Sequence, residues 1–208
     1  MLGAQVTPLG ERPRSFQLVT PQITTRVLSR EMTAAKVGVV LFLAGMLARR
    51  EHVRMEVDYP VSRLHAHLTA LRDLGCRVTV SAGEIEFRFV PWERREIILV
   101  QTSVTATAMV AMLAAAQPGE TVIHNAASEP HVRDLLTMLV MMGAEIDGIG
   151  SNLLRIRGRD GLRGGEGTVS PDHIEIASVA AIGALTGGRL DIEGVRAEDL
   201  RLIRKVYE

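Results

Sequence analysis

The stretch "LTALRDLGCRVTV", Leu68 to Val80, returns in altered form as "LTMLVMMGAEIDG", Leu136 to Gly148. Leu68 aligns with Leu136, Leu71 with Leu139 and Gly75 with Gly143, an offset of 68 residues. In both copies apolar residues recur at helical spacing until a glycine interrupts them, the position that favours a left-handed residue at a helix end. One offset apart upstream lie "EHVRMEV" (Glu51 to Val57) and "GETVIHN" (Gly119 to Asn125). A third match opens at "GGRLDIEGV" (Gly187 to Val195) and continues into "RAEDLRLIRKVY". A repeat of this size is one supersecondary unit used several times.

Each copy predicts the same order of elements. A first helix covers Thr33 to Ala48, Thr105 to Ala116 or Ile176 to Leu185, and a short strand follows. A second helix starts near Pro60 or Pro130, where proline is tolerated because its missing N–H had no partner. Ser62 or Asp58 is the expected cap of one such helix and Ser128 of the other. A hairpin closes the unit: "RVTVSAGEIEFRF" alternates strictly about a Ser-Ala-Gly-Glu turn, and "EIDGIGSNLLRIRG" does so less cleanly. With "EIILV" (Glu96 to Val100) ahead of the first helix, the unit reads βαβαββ. The third copy would place its closing glycine at position 211, beyond Glu208, and "SFQLVTPQITTRV" holds room for the end of a further copy. The expectation is a section of a longer repeating protein with about two and a half copies, of mixed α/β class. The divisions are an N-terminal segment, residues 1–27, partly disordered; two units over 28–169; and the start of a third over 170–208.

Composition narrows the function classes. The chain is 47% hydrophobic with only 3% aromatic residues, so its core is aliphatic. Twenty-four basic residues balance 24 acidic ones, which gives no electrostatic footprint for nucleic acid or a membrane surface. The longest apolar run, Val37 to Ala48, is shorter than the ~20 residues a membrane span needs. The N-terminus lacks the apolar core of a signal peptide. A single cysteine, Cys76, excludes an internal disulfide, and a cytoplasmic location is expected.

The segment from Thr102 to Gly158, with its run SV-x-AT, A-x-PGETVI-x-NAA-x-EP and MGA-x-I-x-G-x-G, resembles the enolpyruvyl transferases. The resemblance is to the branch that acts on UDP-N-acetylglucosamine, which is related to the shikimate-pathway synthase. "SPDHIEIASVAAIGALTGG" (Ser170 to Gly188) resembles that family's Pro-Asp-Arg-Ile-Glu segment, with His173 in place of Arg. The resemblance implies an inside-out α/β barrel of βαβαββ units, helices inside and sheets outside, with the active site between two such domains. It implies transfer of enolpyruvate from phosphoenolpyruvate to the sugar 3-hydroxyl of UDP-N-acetylglucosamine, the first committed step of peptidoglycan synthesis, with no metal or organic cofactor.

The same resemblance assigns candidate substrate-binding residues. "QTSVT" carries Gln101, Thr102, Ser103 and Val104 at a strand-to-helix turn facing the uridine diphosphate end. A helix N-terminus suits phosphate by its free N–H groups and dipole, although Ser103 reads equally as a helix cap. Gln101 stands where the family commonly has Lys. Thr33 stands where the family has an Arg, with Lys36 one turn on. In "VRMEVDYPVSRLH" the family's Gly-rich loop and its Cys or Asp acid have no counterpart, so no catalytic residue is assigned; Asp58 and Arg63 are stand-ins, Arg63 for substrate binding. Cys76, in register with Ala144, is a packing residue at the start of a strand. His65 and His67 are two apart and face apart, which supports no metal site. Asp172 and Glu175 read as a hinge or as an ordinary acidic helix start. The family's early Lys-Asn pair and later Asp and Arg residues fall outside the chain. A different reading is a catalytically inactive nucleotide-sugar-binding or assembly module. Either way, uncovered edges call for a homo-oligomer or a partner chain that completes the fold.

Overall fold

The structure is a computed structural model that describes residues 2–10, 14–34 and 37–207. An N-terminal antiparallel hairpin, β1 (Gln5–Pro8) with β2 (Phe16–Val19), is exposed along both strands. The first unit is then β3 (Val27–Leu28), α1 (Arg30–Thr33), α2 (Phe42–Arg49), β4 (His52–Glu56), α3 (His65–Asp73), β5 (Arg77–Ser81) and β6 (Glu84–Arg88). The second is β7 (Arg94–Ile98), α4 (Val104–Ala115), β8 (Gly119–His124), α5 (Pro130–Met141), β9 (Glu145–Asp147) and β10 (Leu153–Gly158). The sheets run β3-β4-β6-β5 and β7-β8-β10-β9. In each, the first pair is parallel and the rest antiparallel. The βαβαββ unit therefore occurs twice, with one strand order.

The glycines close both second helices as the repeat predicted. Gly75 has φ +93° and Gly143 φ +110°. The N–H of Cys76 reaches the Leu71 carbonyl and that of Ala144 the Leu139 carbonyl, the outer bond of a Schellman motif. The caps at the other ends differ from expectation. Glu129, not Ser128, stands at the cap of α5, and neither it nor Pro60 makes a side-chain cap bond. The proline at the first position of α5 removes one N–H that would otherwise need an acceptor, so a cap contributes less there.

The helix expected from Thr33 to Ala48 is interrupted: α1 ends at Thr33, a 3-10 turn covers Val37–Leu41, and α2 starts at Phe42. Gly38 and the β-branched pair Val39 and Val40 weaken a helix at that point. Lys36 lies outside the described residues.

Helix α4 is the centre of the molecule. Nine of its twelve residues are buried, so it has no polar face and must be covered all round. It packs on α2, α3 and α5. Leu43, Met46, Leu71 and Phe87 of the first unit share one core with Met109, Leu113, Ile123 and Ile156 of the second. Each fully buried aliphatic side chain contributes about 1.5–3 kcal/mol. The outer faces of the sheets are charged, with Arg54 on Glu84 and with Arg155 and Arg157 on Glu120. Helices thus lie inside and sheets outside, while the two sheets remain separate and close no barrel among the described residues.

Beyond them come α6 (His173–Thr186) and α7 (Arg201–Tyr207). The strand expected at "GGRLDIEGV" is absent. In the first two units that strand is held by a hairpin strand beside it, and the described residues hold none here; a lone parallel pair is marginal in water. Arg196 ties this segment to α5 through Asp134 and Ser170. The apolar residues Ile174, Ile182 and Leu185 of α6 stand exposed, unlike their counterparts on α4.

Candidate functional site at the start of the fourth helix

The turn between β7 and α4 is built by hydrogen bonds from three directions. Ser103 caps α4, its hydroxyl oxygen accepting from the Ala106 N–H at 3.3 Å. Thr107, fully buried, donates its hydroxyl to the Ser103 carbonyl at 2.8 Å and accepts from the Ala127 N–H at 2.9 Å. Asn125, after β8, donates to the Leu99 carbonyl at 2.9 Å and accepts from the Thr102 hydroxyl at 2.8 Å. From the first unit, His67 Nε2 shares a 2.8 Å hydrogen bond with the Thr105 hydroxyl. Burial holds the His67 imidazole below its ordinary value, with the Leu64 carbonyl opposing.

The result is a rigid polar collar around the first turn of an otherwise apolar helix. Gln101 and Thr102 are exposed, and Ser103, Val104 and Thr105 are half-buried. The N–H groups of Val104 and Thr105 have no acceptor within the helix, because the first turn leaves its donors unpaired. They carry the positive end of the dipole, so the turn can take an anionic oxygen. The cap role of Ser103 is realised, and its O–H proton remains for another partner.

The other sequence candidates are placed differently. Thr33 is fully buried and donates its hydroxyl to the Glu56 carbonyl at 2.6 Å, so it does not meet the turn. Arg63 is exposed one turn before His67, with its guanidinium 5.7 Å from the centre of the Tyr59 ring. The connection from β4 to the 3-10 turn at Val61 is only residues 57–60. It is pinned by the Val57 N–H on the Gly83 carbonyl, and Val57 and Tyr59 are buried. Asp58 is exposed on it. Cys76 is buried, and burial pushes its thiol up to about 11.

Asp172 caps α6, accepting from the N–H groups of Ile174 and Glu175, which hold its carboxyl below the usual range. Of the histidine pair on α3, His65 is exposed and His67 buried. His173 stacks on His131 with ring centres 5.5 Å apart. No group of three His, Cys, Asp or Glu that could hold a metal ion occurs among the described residues.

Sequence reasoning did not single out Asn125, Thr107 or His67 as parts of this collar. A faint signal existed for Asn125, since an asparagine directly after a strand is a common left-handed turn residue. For His67 and Thr107 there was none: each is an ordinary helical position until His67 of the first unit is packed on Thr105 and the loop after β8 is packed on Thr107.

Comparison with known proteins fits this architecture. The sequence profile of EPSP synthase (3-phosphoshikimate 1-carboxyvinyltransferase) matches residues 58–208, well over half of the chain. The chain belongs to this family. Among curated relatives of this EPSP synthase family member is UDP-N-acetylglucosamine 1-carboxyvinyltransferase of Treponema denticola, 35% identical over 92% of this chain and 46% of that protein. The enzyme of the same name from Rhodospirillum centenum is 32% identical over 95% of this chain and 47% of its own. That of Borrelia garinii is 41% identical over 70% and 34%. The chain spans about half or less of the length of these relatives. In fold it is similar to the enolpyruvyl transferase NikO from Streptomyces tendae, with TM-score 0.73, 21% identity, and coverage of 88% of this chain and 44% of that one. It is also similar to EPSP synthase from Acinetobacter baumannii, with TM-score 0.60, 18% identity, and coverage of 86% and 41%. No helix among the described residues is long and apolar enough to cross a membrane.

Proposed function

We propose that this chain is part of an enolpyruvyl transferase that uses UDP-N-acetylglucosamine and phosphoenolpyruvate in the cytoplasmic first committed step of peptidoglycan synthesis. The observation that carries the reading is the collar at the start of α4. It is a fixed, uncharged, donor-rich helix start in a chain whose curated relatives are named for that sugar nucleotide. In this reading the N–H groups of Val104 and Thr105 and the Ser103 hydroxyl receive a diphosphate oxygen. Gln101 and Thr102 border the same ligand, and Arg63 supplies charge from the first unit. Thr33 contributes by fixing β4 rather than by touching ligand. The exposed apolar residues of α6 support a second chain or a second copy that completes the fold around the site.

A second reading, a nucleotide-sugar-binding module without turnover, is favoured by one observation. The pinned four-residue connection at residues 57–60 leaves Asp58 little freedom to follow a reacting group, and a general acid must come within hydrogen-bond reach of its target.

Isothermal titration of the chain with UDP-N-acetylglucosamine tests both, followed by phosphate release on adding phosphoenolpyruvate. The expected result is binding that Ser103→Ala weakens and Gln101→Lys tightens, since the lysine adds a charge beside a diphosphate. Binding without phosphate release selects the second reading. No heat at millimolar ligand, with or without Gln101→Lys, overturns the site.

A further inference from the structure

Asn125 has φ +58°, in the left-handed region that L residues rarely adopt. Glycine would adopt it freely; asparagine tolerates it, at a cost. What asparagine adds is its side chain. The Nδ2 donates to the Leu99 carbonyl, which can only accept. That fixes the orientation of the amide, so Oδ1 is the atom facing Thr102, and the Thr102 hydroxyl must donate to it. On the backbone, the Leu99 N–H binds the His124 carbonyl at 3.0 Å and the Ala126 N–H binds the Asn152 carbonyl at 2.9 Å, so the loop that carries Asn125 is itself anchored on both sides. One strained residue therefore fastens both ends of residues 99–102.

We propose that Asn125 is a positioning residue for the turn at the start of α4, and that it also divides the labour among the turn's hydroxyls. This deepens the reading given above, on which it rests for its ligand. Because the Thr102 proton is committed to Asn125, only oxygen lone pairs of Thr102 face outward. Thr102 accepts from a hydroxyl of the ligand, as on a sugar ring, and a phosphate oxygen is repelled there. The phosphate is left to the N–H groups of Val104 and Thr105. Without Asn125, residues 99–102 are free to rotate, and the Thr102 proton is released to compete for phosphate.

The test compares the intact chain with Asn125→Gly, which accepts φ +58° and removes both side-chain bonds. Three quantities are measured: melting temperature, amide hydrogen exchange across residues 99–106, and the dissociation constant for UDP-N-acetylglucosamine. The expected result is a melting temperature within a few degrees of the parent, exchange faster by tenfold or more at the hydrogen-bonded N–H groups of Leu99 and Ala106, and about tenfold weaker binding. Unchanged exchange overturns the proposal whatever the ligand does. Faster exchange in a chain whose parent binds no UDP-N-acetylglucosamine upholds the positioning of the turn and removes the ligand reading. If Asn125→Gly unfolds the chain, Thr102→Val at an exposed residue replaces it. Faster exchange at Ala106, whose N–H is held by the Ser103 cap, with weaker binding is then expected, and parental values for both overturn the proposal.

Discussion

Thr107→Val separates the collar from the core in which it is embedded. Thr107 is fully buried, and valine fills nearly the same volume, so the substitution opens no cavity. It removes two hydrogen bonds of unequal importance. The Ser103 carbonyl loses the 2.8 Å hydroxyl but keeps the Thr107 N–H at 2.9 Å, so that loss is the ordinary net value of a hydrogen bond. The Ala127 N–H loses its 2.9 Å acceptor, and Ala127 is only 1% exposed, so water cannot replace it. An ordinary bond is worth about 0.5–1.5 kcal/mol and a buried orphan about 1–3, so Thr107→Val is expected to cost roughly 2–4 kcal/mol. For a chain of this size that is a drop of roughly 5–15 °C in melting temperature. Thr107→Ser keeps the hydroxyl and loses a methyl, which costs about 1 kcal/mol. Thermal unfolding followed by circular dichroism gives the order parent, then serine, then valine. If valine proves as stable as the parent, the hydroxyl contributes nothing, and the account of the collar is wrong.

Three further outcomes are expected. Gly143→Val forces a β-branched residue to φ +110° at the end of α5, at a cost of about 1–3 kcal/mol in backbone strain, whereas Gly164→Val, with open space around its Cα, stays near the parent; equal melting temperatures would refute the repeat boundary. His67 has its folded value depressed by burial, so the unfolded chain binds the extra proton first; its contribution to stability is complete above about pH 6.5 and declines as pH falls from there through the folded value. His67→Leu should therefore flatten the melting temperature between pH 7 and pH 5, and an unaltered slope would show that another group governs that window. Cys76, buried with its thiol near 11, should react with a thiol reagent at pH 8 only as fast as the chain opens, so urea below the unfolding midpoint accelerates labelling while a rise to pH 9 alone does so only weakly.

The 68-residue repeat was legible because its signals are local. Leu71 and Gly75 lie within one helix end, and the left-handed glycine follows from backbone sterics alone. The alternation in β5 and β6, and the two-residue turn that joins them, are likewise set by neighbours in sequence. The break in the first helix was less visible, because the long apolar run from Val37 hides the local weakness at Gly38 to Val40.

The N-cap at Ser103 belonged to the sequence too, since Ser before an apolar helix is a local rule. What surrounds it did not. His67 meets Thr105 across 38 residues, Asn125 meets Thr102 across 23, and Thr107 meets Ala127 across 20. Each pairing exists only because α3 and the loop after β8 are packed against the first turn of α4. Thr33 shows the converse: a plausible ligand residue by position, it is claimed by the Glu56 carbonyl once β4 lies beside it. Sequence determined the unit and its caps through short-range sterics and periodicity. Tertiary structure decided which hydroxyls are spent on holding the turn and which are left with a free proton, because a hydrogen bond is assigned by proximity in space.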